Sequence, residues 1–323
     1  MTHRERFAAA LEGKTPDWVP TFELEFQLEQ EMFGARFDYA RVTPEALDAV
    51  SATERMRALE ELAAHTLWLY VDQLEYSSVP INGPTAPPRL ADQLDLIRIL
   101  RQMAGNTVML HAHGDGTFAL PDGNDMYAFA YRIADDFEGL KRQAQDMARE
   151  AIARNHRLAE AGVDCFILCA DYCYNQGPFI SPAMFSELIT PYLAQIIADI
   201  RQMGCYAIKH TDGNIMPILD QLVQAHPHAL HSLDPMAQVD IAQVKRLVGD
   251  RVALCGNVNC ALMQTGTDEQ VVASARYAID SGKPGGGYVF CTSNVPFKGL
   301  PARRYELILD VWKRMRDYSK EEM

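Results

Sequence analysis

The chain has 323 residues, 48% hydrophobic and 23% charged, which is enough apolar material to bury a sizeable core. A net charge of −13 argues against a nucleic-acid surface or an anionic membrane, both of which would repel it. No run approaches ~20 uninterrupted apolar residues, and Met1-Thr2-His3-Arg4-Glu5-Arg6 carries no apolar signal region, so a soluble cytoplasmic protein is expected.

In chain order, one pattern repeats: a short apolar run ends abruptly in polar residues. Residues 18–22 run into Glu23 and Glu25. A further strand is expected within 70–79, and the Pro and Gly residues of 74–90 mark a long loop or lid. Residues 107–110 run into His111, His113 and Asp115, and residues 163–170 into Asp171, Tyr172 and Asn175. Residues 206–209 run into His210 and Asp212. His231 lies in the run 229–233, which leads to Asp234; 251–255 leads to Asn257 and Asn259, and 287–291 to Thr292, Ser293 and Asn294. Helix-like segments separate most of these runs, among them Phe137–Ala161, 181–203 and 215–223. Near-continuous apolar strands alternating with helices predict a parallel sheet covered on both faces. Eight such units in this length predict an α/β fold of the (β/α)8 TIM-barrel type, a single domain over 1–323.

The segment Tyr206-Ala207-Ile208-Lys209-His210-Thr211-Asp212-Gly213-Asn214 carries the sharpest chemical signal. Residues two apart leave a strand on the same face, so His210 and Asp212 converge on one ligand, while Lys209 alternates to the other face as a structural residue. Strand ends that meet loops are where α/β enzymes place their chemistry. A capped turn, with Asp212 or Asn214 bonding the following amides, accounts for the same residues. Nitrogen and oxygen donors from several strand ends, chiefly His210 and Asp212 with Asp171, His111, His113, His231, Asp234, Glu23 and Glu25 within reach of one barrel mouth, would suit Zn²⁺ or another borderline divalent ion.

Other chemistries lack support. Gly285-Gly286-Gly287 precedes a strand instead of following one, so it is a turn and not a phosphate cradle. There is no dinucleotide fingerprint, Walker sequence, His-Glu-x-x-His or Gly-x-Ser-x-Gly. The seven cysteines form no Cys-x-x-Cys framework. Cys165, Cys169, Cys205 and Cys255 sit in apolar runs as small hydrophobes, and Cys173, Cys260 and Cys291 are kept as minor site candidates.

Several stretches in order resemble the uroporphyrinogen decarboxylase superfamily. They are His210-Thr211-Asp212-Gly213-Asn214, Leu233-Asp234-Pro235, Gly249-Asp250-Arg251-Val252-Ala253-Leu254-Cys255-Gly256-Asn257-Val258, and Pro284-Gly285-Gly286-Gly287-Tyr288 followed by Thr292-Ser293-Asn294. The N-terminal Arg4-Glu5-Arg6-Phe7 and Asp17-Trp18-Val19-Pro20 extend the match. The resemblance implies a (β/α)8 barrel. The family's true decarboxylases carry an arginine-rich segment after the first strand and an aspartate after the second. Here Pro20-Thr21-Phe22-Glu23-Leu24-Glu25-Phe26-Gln27 is acidic and Glu75-Tyr76-Ser77-Ser78-Val79 lacks that aspartate, so a porphyrinogen with many carboxylates would be repelled.

The family's other large branch comprises methyltransferases that move methyl groups to or from a corrinoid on a separate protein. Several hold zinc by a His-x-Cys pair at the position of His210 and Asp212, plus a cysteine in the loop after the last strand. Here Asp212 replaces the first cysteine, and Asn294 and Val295 occupy the later loop, with Cys291 slightly upstream. A His/carboxylate set is a harder site, suited to an ether or alcohol oxygen. The expected protein is therefore a methyltransferase moving a methyl group from a small O-methylated donor, such as an aryl methyl ether, to a corrinoid protein. His210 and Asp212 are its expected metal ligands or acid/base pair, with Asp171 as a further catalytic residue. Glu23, Glu25, Tyr172, Asn175, His113, His231, Asn257 and Asn294 are expected to bind the substrate. No Asp-x-His-x-x-Gly is present, so the corrinoid comes with the partner. A homodimer is left open. The alternatives are a decarboxylase of a less anionic substrate and a non-catalytic small-molecule-binding barrel.

Overall fold

A computed structural model describes residues 1–81 and 86–319. Seven strands form one parallel sheet: β1 (Ser78–Pro80), β2 (Met109–His113), β3 (Cys165–Leu168), β6 (Tyr206–His210), β7 (Ala229–His231), β8 (Ala253–Cys255) and β9 (Tyr288–Val289). Their spatial order follows the chain, each strand pairing with the next through a helical connection. A small antiparallel hairpin, β4 (Cys173–Tyr174) with β5 (Gly177–Pro178), rides between β3 and β6. The N-terminal segment meets both edges of the curled sheet. The Thr21 carbonyl accepts from the Ser77 amide at 2.8 Å beside β1, and the Pro20 carbonyl accepts from the Phe290 amide at 2.9 Å beside β9.

Alternation along the strands sorts the apolar residues into two layers. Phe22, Met109, Cys165, Ile167, Ile208, Ala229, Ala253, Cys255, Val289 and Cys291 form an inner cluster, with Phe7, Ala10 and Leu11 of the first helix, His3–Leu11. A Thr2/Glu5 capping box starts that helix, which packs against β1, β2 and β9. The outward set, including Leu110, Phe166, Leu168, Ala207, Leu230, Leu254 and Tyr288, joins the apolar faces of the surrounding helices in a much larger outer core. Burying each large apolar side chain contributes about 1.5–3 kcal/mol over leaving it exposed.

The helix Phe137–Ala161 occupies the bounds expected of it. The segment 181–203 divides into Pro182–Leu188 and Thr190–Gln202, and the segment 215–223 into a 3-10 turn, Met216–Ile218, and a short helix, Leu219–Gln224. Residues 18–22 make only isolated bridges at Trp18 and Thr21, since Pro20 has no amide to donate to a ladder. Most of 70–79 is not strand: Trp68–Gln73 is a π-helical extension of the preceding helix, and pairing begins only at Ser78. His111 and His113 lie within β2 instead of beyond it. Part of the expected loop over 74–90, residues 82–85, lies outside the described residues. Gly285, Gly286 and Gly287 all hold positive φ, as a turn requires. Among the described residues no helix is long and apolar enough to cross a membrane.

Candidate metal and acid/base centre

The parity of β6 decides which of its side chains enter the interior. Ile208 and His210 face in; Ala207 and Lys209 face out. Lys209 is wholly buried behind the strand, where its Nζ donates to Asp115 Oδ2 at 2.9 Å and to the carbonyls of Leu168 and Ala170 at 3.0 and 2.9 Å. It also lies 4.0 Å from the centre of the Tyr172 ring. That is the structural role expected of it.

On the inner side the chain leaves β6 through Thr211, whose Oγ1 accepts the Tyr172 amide at 2.8 Å and ties this loop to the one after β3. The Asp212 amide donates to Asp171 Oδ1 at 2.9 Å. Gly213 then turns the chain at φ +80°, where a Cβ would come within 2.3 Å of the Cys173 carbonyl oxygen. Only glycine lets the β4–β5 hairpin sit this close. The result brings Asp171, His210 and Asp212 together: one nitrogen or oxygen atom of each lies within 4.8 Å of the others. His210 Nε2 is 3.6 Å from Asp171 Oδ1 and 3.9 Å from Asp212 Oδ1. The Asp171 and Asp212 side chains keep 41% and 28% exposure, so a small molecule can reach them.

Hydrogen bonds from neighbouring strand ends hold Asp212. Ser232 Oγ lies 2.6 Å from its Oδ1, and the Asn294 side-chain amide donates to its Oδ2. Burial, reinforced by Asp171 and Asp234 and opposed by the Ser232 bond, pushes the Asp212 carboxyl up to about 7. Burial, then the Lys209 charge and His113, pull the His210 imidazole down to about 3, so it is a neutral base. His210 Nδ1 meets His231 Nδ1 at 2.7 Å. Three donors, one nitrogen and two carboxylates, thus converge with no lysine or arginine pairing either Asp171 or Asp212 among the described residues.

The remaining expected site residues are placed differently. Glu25 and His113 stay near one another, Glu25 favouring the charged imidazole while burial lowers its affinity for a proton. Glu23 is 1% exposed and does not face the mouth. It accepts the Thr292 amide at 3.0 Å, the Thr292 hydroxyl at 2.5 Å and the Tyr305 hydroxyl at 3.4 Å, and burial pushes it up to about 8. Burial favours its neutral form against the pull of these bonds, and Glu23 is withdrawn from any substrate, so the repulsion of a polyanion expected of Glu23 and Glu25 together does not come from Glu23. Tyr172 is wholly buried, its hydroxyl 2.6 Å from Thr117 Oγ1, away from any substrate. Asn257 is buried and spans to the Leu233 carbonyl at 2.8 Å. Asn175 is exposed at the turn of the β4–β5 hairpin. Asp234 caps the turn Pro235–Ala237, bonding the Met236 amide at 2.8 Å. The cysteines stay outside the centre: Cys173, Cys260 and Cys291 are buried, and burial raises each thiol above its ordinary range.

Ser232 and Thr211 were not singled out from the sequence, although both sit in the polar tails of their strands. Ser232 and Leu233 hold φ of +85° and +49°, values that non-glycine residues keep only where their surroundings enforce them.

The uroporphyrinogen decarboxylase (URO-D) family model matches residues 71–295, more than half of the chain. The chain belongs to the uroporphyrinogen decarboxylase family. The methylcobamide:CoM methyltransferase MtaA of Methanosarcina barkeri is 24% identical over 346 aligned positions, covering 95% of this chain and 98% of that protein. The uroporphyrinogen decarboxylase of Thioalkalivibrio sulfidiphilus is 35% identical, but over 144 residues, 42% of this chain and 38% of that one. A solved methyltransferase from Methanosarcina mazei has the same fold, with a TM-score of 0.72 at 17% identity over 97% of this chain and 99% of that chain. The end-to-end likeness in sequence is thus to a protein named as a methyltransferase, and the solved methyltransferase shares the fold.

Proposed function

We propose that this chain is a single closed (β/α)8 barrel that transfers a methyl group from a small O-methylated donor, such as an aryl methyl ether, to a corrinoid carried by a separate cytoplasmic protein. The curled seven-strand sheet, with residues 20–21 bonded to both of its edges, supports the barrel. The full-length relative named for methylcobamide supports the corrinoid as co-substrate.

One observation carries the choice of an oxygen-bound methyl group: the centre built on His210, Asp171 and Asp212 contains no thiol. One imidazole and two carboxylates form a hard donor set, which suits Zn²⁺ or another borderline divalent ion that activates oxygen better than one that binds a thiolate. Such an ion, held by His210 and Asp212 with Asp171 as third ligand, would polarise the ether oxygen and stabilise the departing alkoxide or phenoxide. The protein's own groups contribute beside it. Asn294 and Ser232 fix the orientation of Asp212. Burial also raises the affinity of Asp212 for a proton into the neutral range, so its protonated fraction can give that proton to the leaving oxygen as a general acid where no metal sits. Asn294 bonds Asp212, and His113 and Glu25, near one another, are the further groups that would orient the donor.

The test is elemental analysis of protein purified without chelators, beside His210→Ala and Asp212→Ala, followed by assays with cob(I)alamin and a panel of methoxylated donors. Bound divalent metal in the wild type, lost with methyl transfer in both variants, is the expected result. Transfer without metal, abolished by the same substitutions, selects the acid/base version. Full activity in both variants eliminates the centre from catalysis.

A further inference from the structure

The N-terminal end of the sheet, opposite the centre, holds an open cavity of about 690 Å³. Its walls come from residues that lead into the strands: Cys205 before β6, His228 before β7, Val252 before β8 and Gly285 before β9. Arg201 and Arg251 line it too, in a chain whose net charge is −13, and neither guanidinium is closely neutralised. Among the described residues Arg201 has no carboxylate partner; its Nη1 reaches the His226 carbonyl at 3.3 Å and the His228 ring at 3.0 Å. Arg251 faces the exposed carboxylates of Asp220 and Asp250 only at 3.8 and 3.9 Å, beyond hydrogen-bond distance. Glu12, on the same wall, is engaged elsewhere, accepting the Tyr206 hydroxyl at 2.7 Å and Lys14 Nζ at 2.6 Å.

The meeting of Arg201 with His228 is left unmatched by the fold. The Ala207 amide donates to His228 Nδ1 at 3.0 Å, so that nitrogen carries a lone pair. An imidazole with a bare Nδ1 keeps its proton on Nε2. That N–H then points at a guanidinium, and neither group has a lone pair to offer the other. A backbone donor decides this, so no change of tautomer relieves it. The ring is also held in place. The His228 amide donates back to the Ala207 carbonyl at 2.7 Å, and the Tyr206 ring packs edge-on against the imidazole with centres 4.9 Å apart. An oxygen set beside both groups accepts from each, and a negatively charged oxygen also answers the guanidinium charge.

We propose that this cavity is an oxyanion site, which takes a phosphate or carboxylate group between the His228 Nε2–H and the Arg201 guanidinium, with Arg251 lending charge. His228 is fixed and sets where the first oxygen sits. Arg201 is exposed, so it can swing to admit the group and present its planar fork to the other oxygens. The volume falls within the roughly 300–1,000 Å³ of pockets that hold small organic ligands, so the anionic group is one end of a larger molecule. The site stands at the other end of the barrel from His210 and Asp212 and does not depend on what those residues bind.

The experiment titrates inorganic phosphate and, separately, succinate into the protein by calorimetry at constant ionic strength, so that diffuse attraction does not change during the titration. Saturable binding of at least one is expected; preference for phosphate identifies a phosphorylated ligand, and preference for succinate a carboxylated one. His228→Asn removes the donor alone, because its Oδ1 still takes the Ala207 amide while no N–H stands where Nε2 did. His228→Asn and Arg201→Ala should each weaken binding about tenfold or more with little change in melting temperature, as expected for a lost charge-assisted hydrogen bond. Arg201→Ala, at an exposed position, keeps the test decisive if His228→Asn does not fold. Arg57→Ala, on an exposed helix face, and His210→Ala should bind as wild type does. No saturable binding of either anion, or unchanged affinity in folded Arg201→Ala, overturns the proposal. Loss of binding in His210→Ala overturns it as well, since the anion would then sit at the centre.

Discussion

Two carboxylates flank β6, one on each face, and the strand treats them oppositely. Behind it, Asp115 is sealed with its own cation. Burial alone would raise its carboxyl, but the Lys209 charge, the Thr117 and Lys209 hydrogen bonds and the Ala170 amide together hold it below its ordinary range. In front of it, Asp212 is withdrawn from water beside Asp171 and Asp234 with no cation, and its affinity for a proton rises to about 7. A carboxylate taken out of water must be paired, protonated or bound to a metal. Asp115 is paired within the fold, so it is scaffold. Asp212 is left to take a proton or a metal ion, which is the physical difference between a structural carboxylate and a functional one only a few ångströms of backbone away.

The largest expected effect breaks the rear pair. Lys209→Met leaves Asp115 buried and uncompensated and should cost about 3–5 kcal/mol in urea denaturation. Adding Asp115→Asn should return a large part of that loss; a strictly additive double variant would show that the two do not act as a pair. By the same logic Asp212→Asn, which removes a carboxylate lacking a counter-charge, should leave the metal-free protein as stable as wild type or more so.

Next comes the front cluster. Asp171→Asn should lower Zn²⁺ affinity by about 100-fold, equivalent to about 2.7 kcal/mol, with little change in melting temperature. An unchanged affinity would remove Asp171 from the ligand set and leave it as the acceptor of the Asp212 amide alone. Ser232→Ala should cost about tenfold, because it loosens Asp212 without removing a ligand atom. Titration with Zn²⁺ under chelator competition reads both.

The smallest effect is a pH slope. In metal-free protein, folded Asp212 keeps its proton to about pH 7, whereas the unfolded carboxyl releases it near 3.8. Between those values the folded state binds the extra proton, so this group's contribution to stability falls as pH rises from about 4 to about 7. Asp115 works with the opposite sign: its contribution is present above the unfolded value and lost as pH falls through its lower folded one. Denaturation across pH 4–8 in chelator should therefore show a flatter decline for Asp212→Asn than for wild type. Identical slopes would mean that Asp212 ionises normally.

Local signals carried much of this architecture. The two-residue alternation of β6 put His210 and Lys209 on opposite faces, and the polar tail of each apolar run marked the end of the sheet where Asp171, His210 and Asp212 gather. Helical periodicity gave Phe137–Ala161 its bounds. What failed was whatever depends on a covering partner remote in sequence. Glu23 reads as a mouth residue from its place after an apolar run, yet Thr292, 269 positions away, closes over it and makes it an internal group, whose burial raises its affinity for a proton against the pull of the Thr292 bonds. Tyr172 and Asn257 were drawn inward in the same way, by Thr117 and by the Leu233 carbonyl.

The sequence by itself determined which residue types stand at the strand ends and which face each takes, because pleat and helical period are set by neighbouring residues along one chain. Only the tertiary structure decided which carboxylate meets a cation, which imidazole meets another, and which acid is left open. Those outcomes depend on burial and on contacts such as Ser232 and Asn294 with Asp212, 20 and 82 residues apart, where the local dielectric and the nearest charge fix who holds the proton.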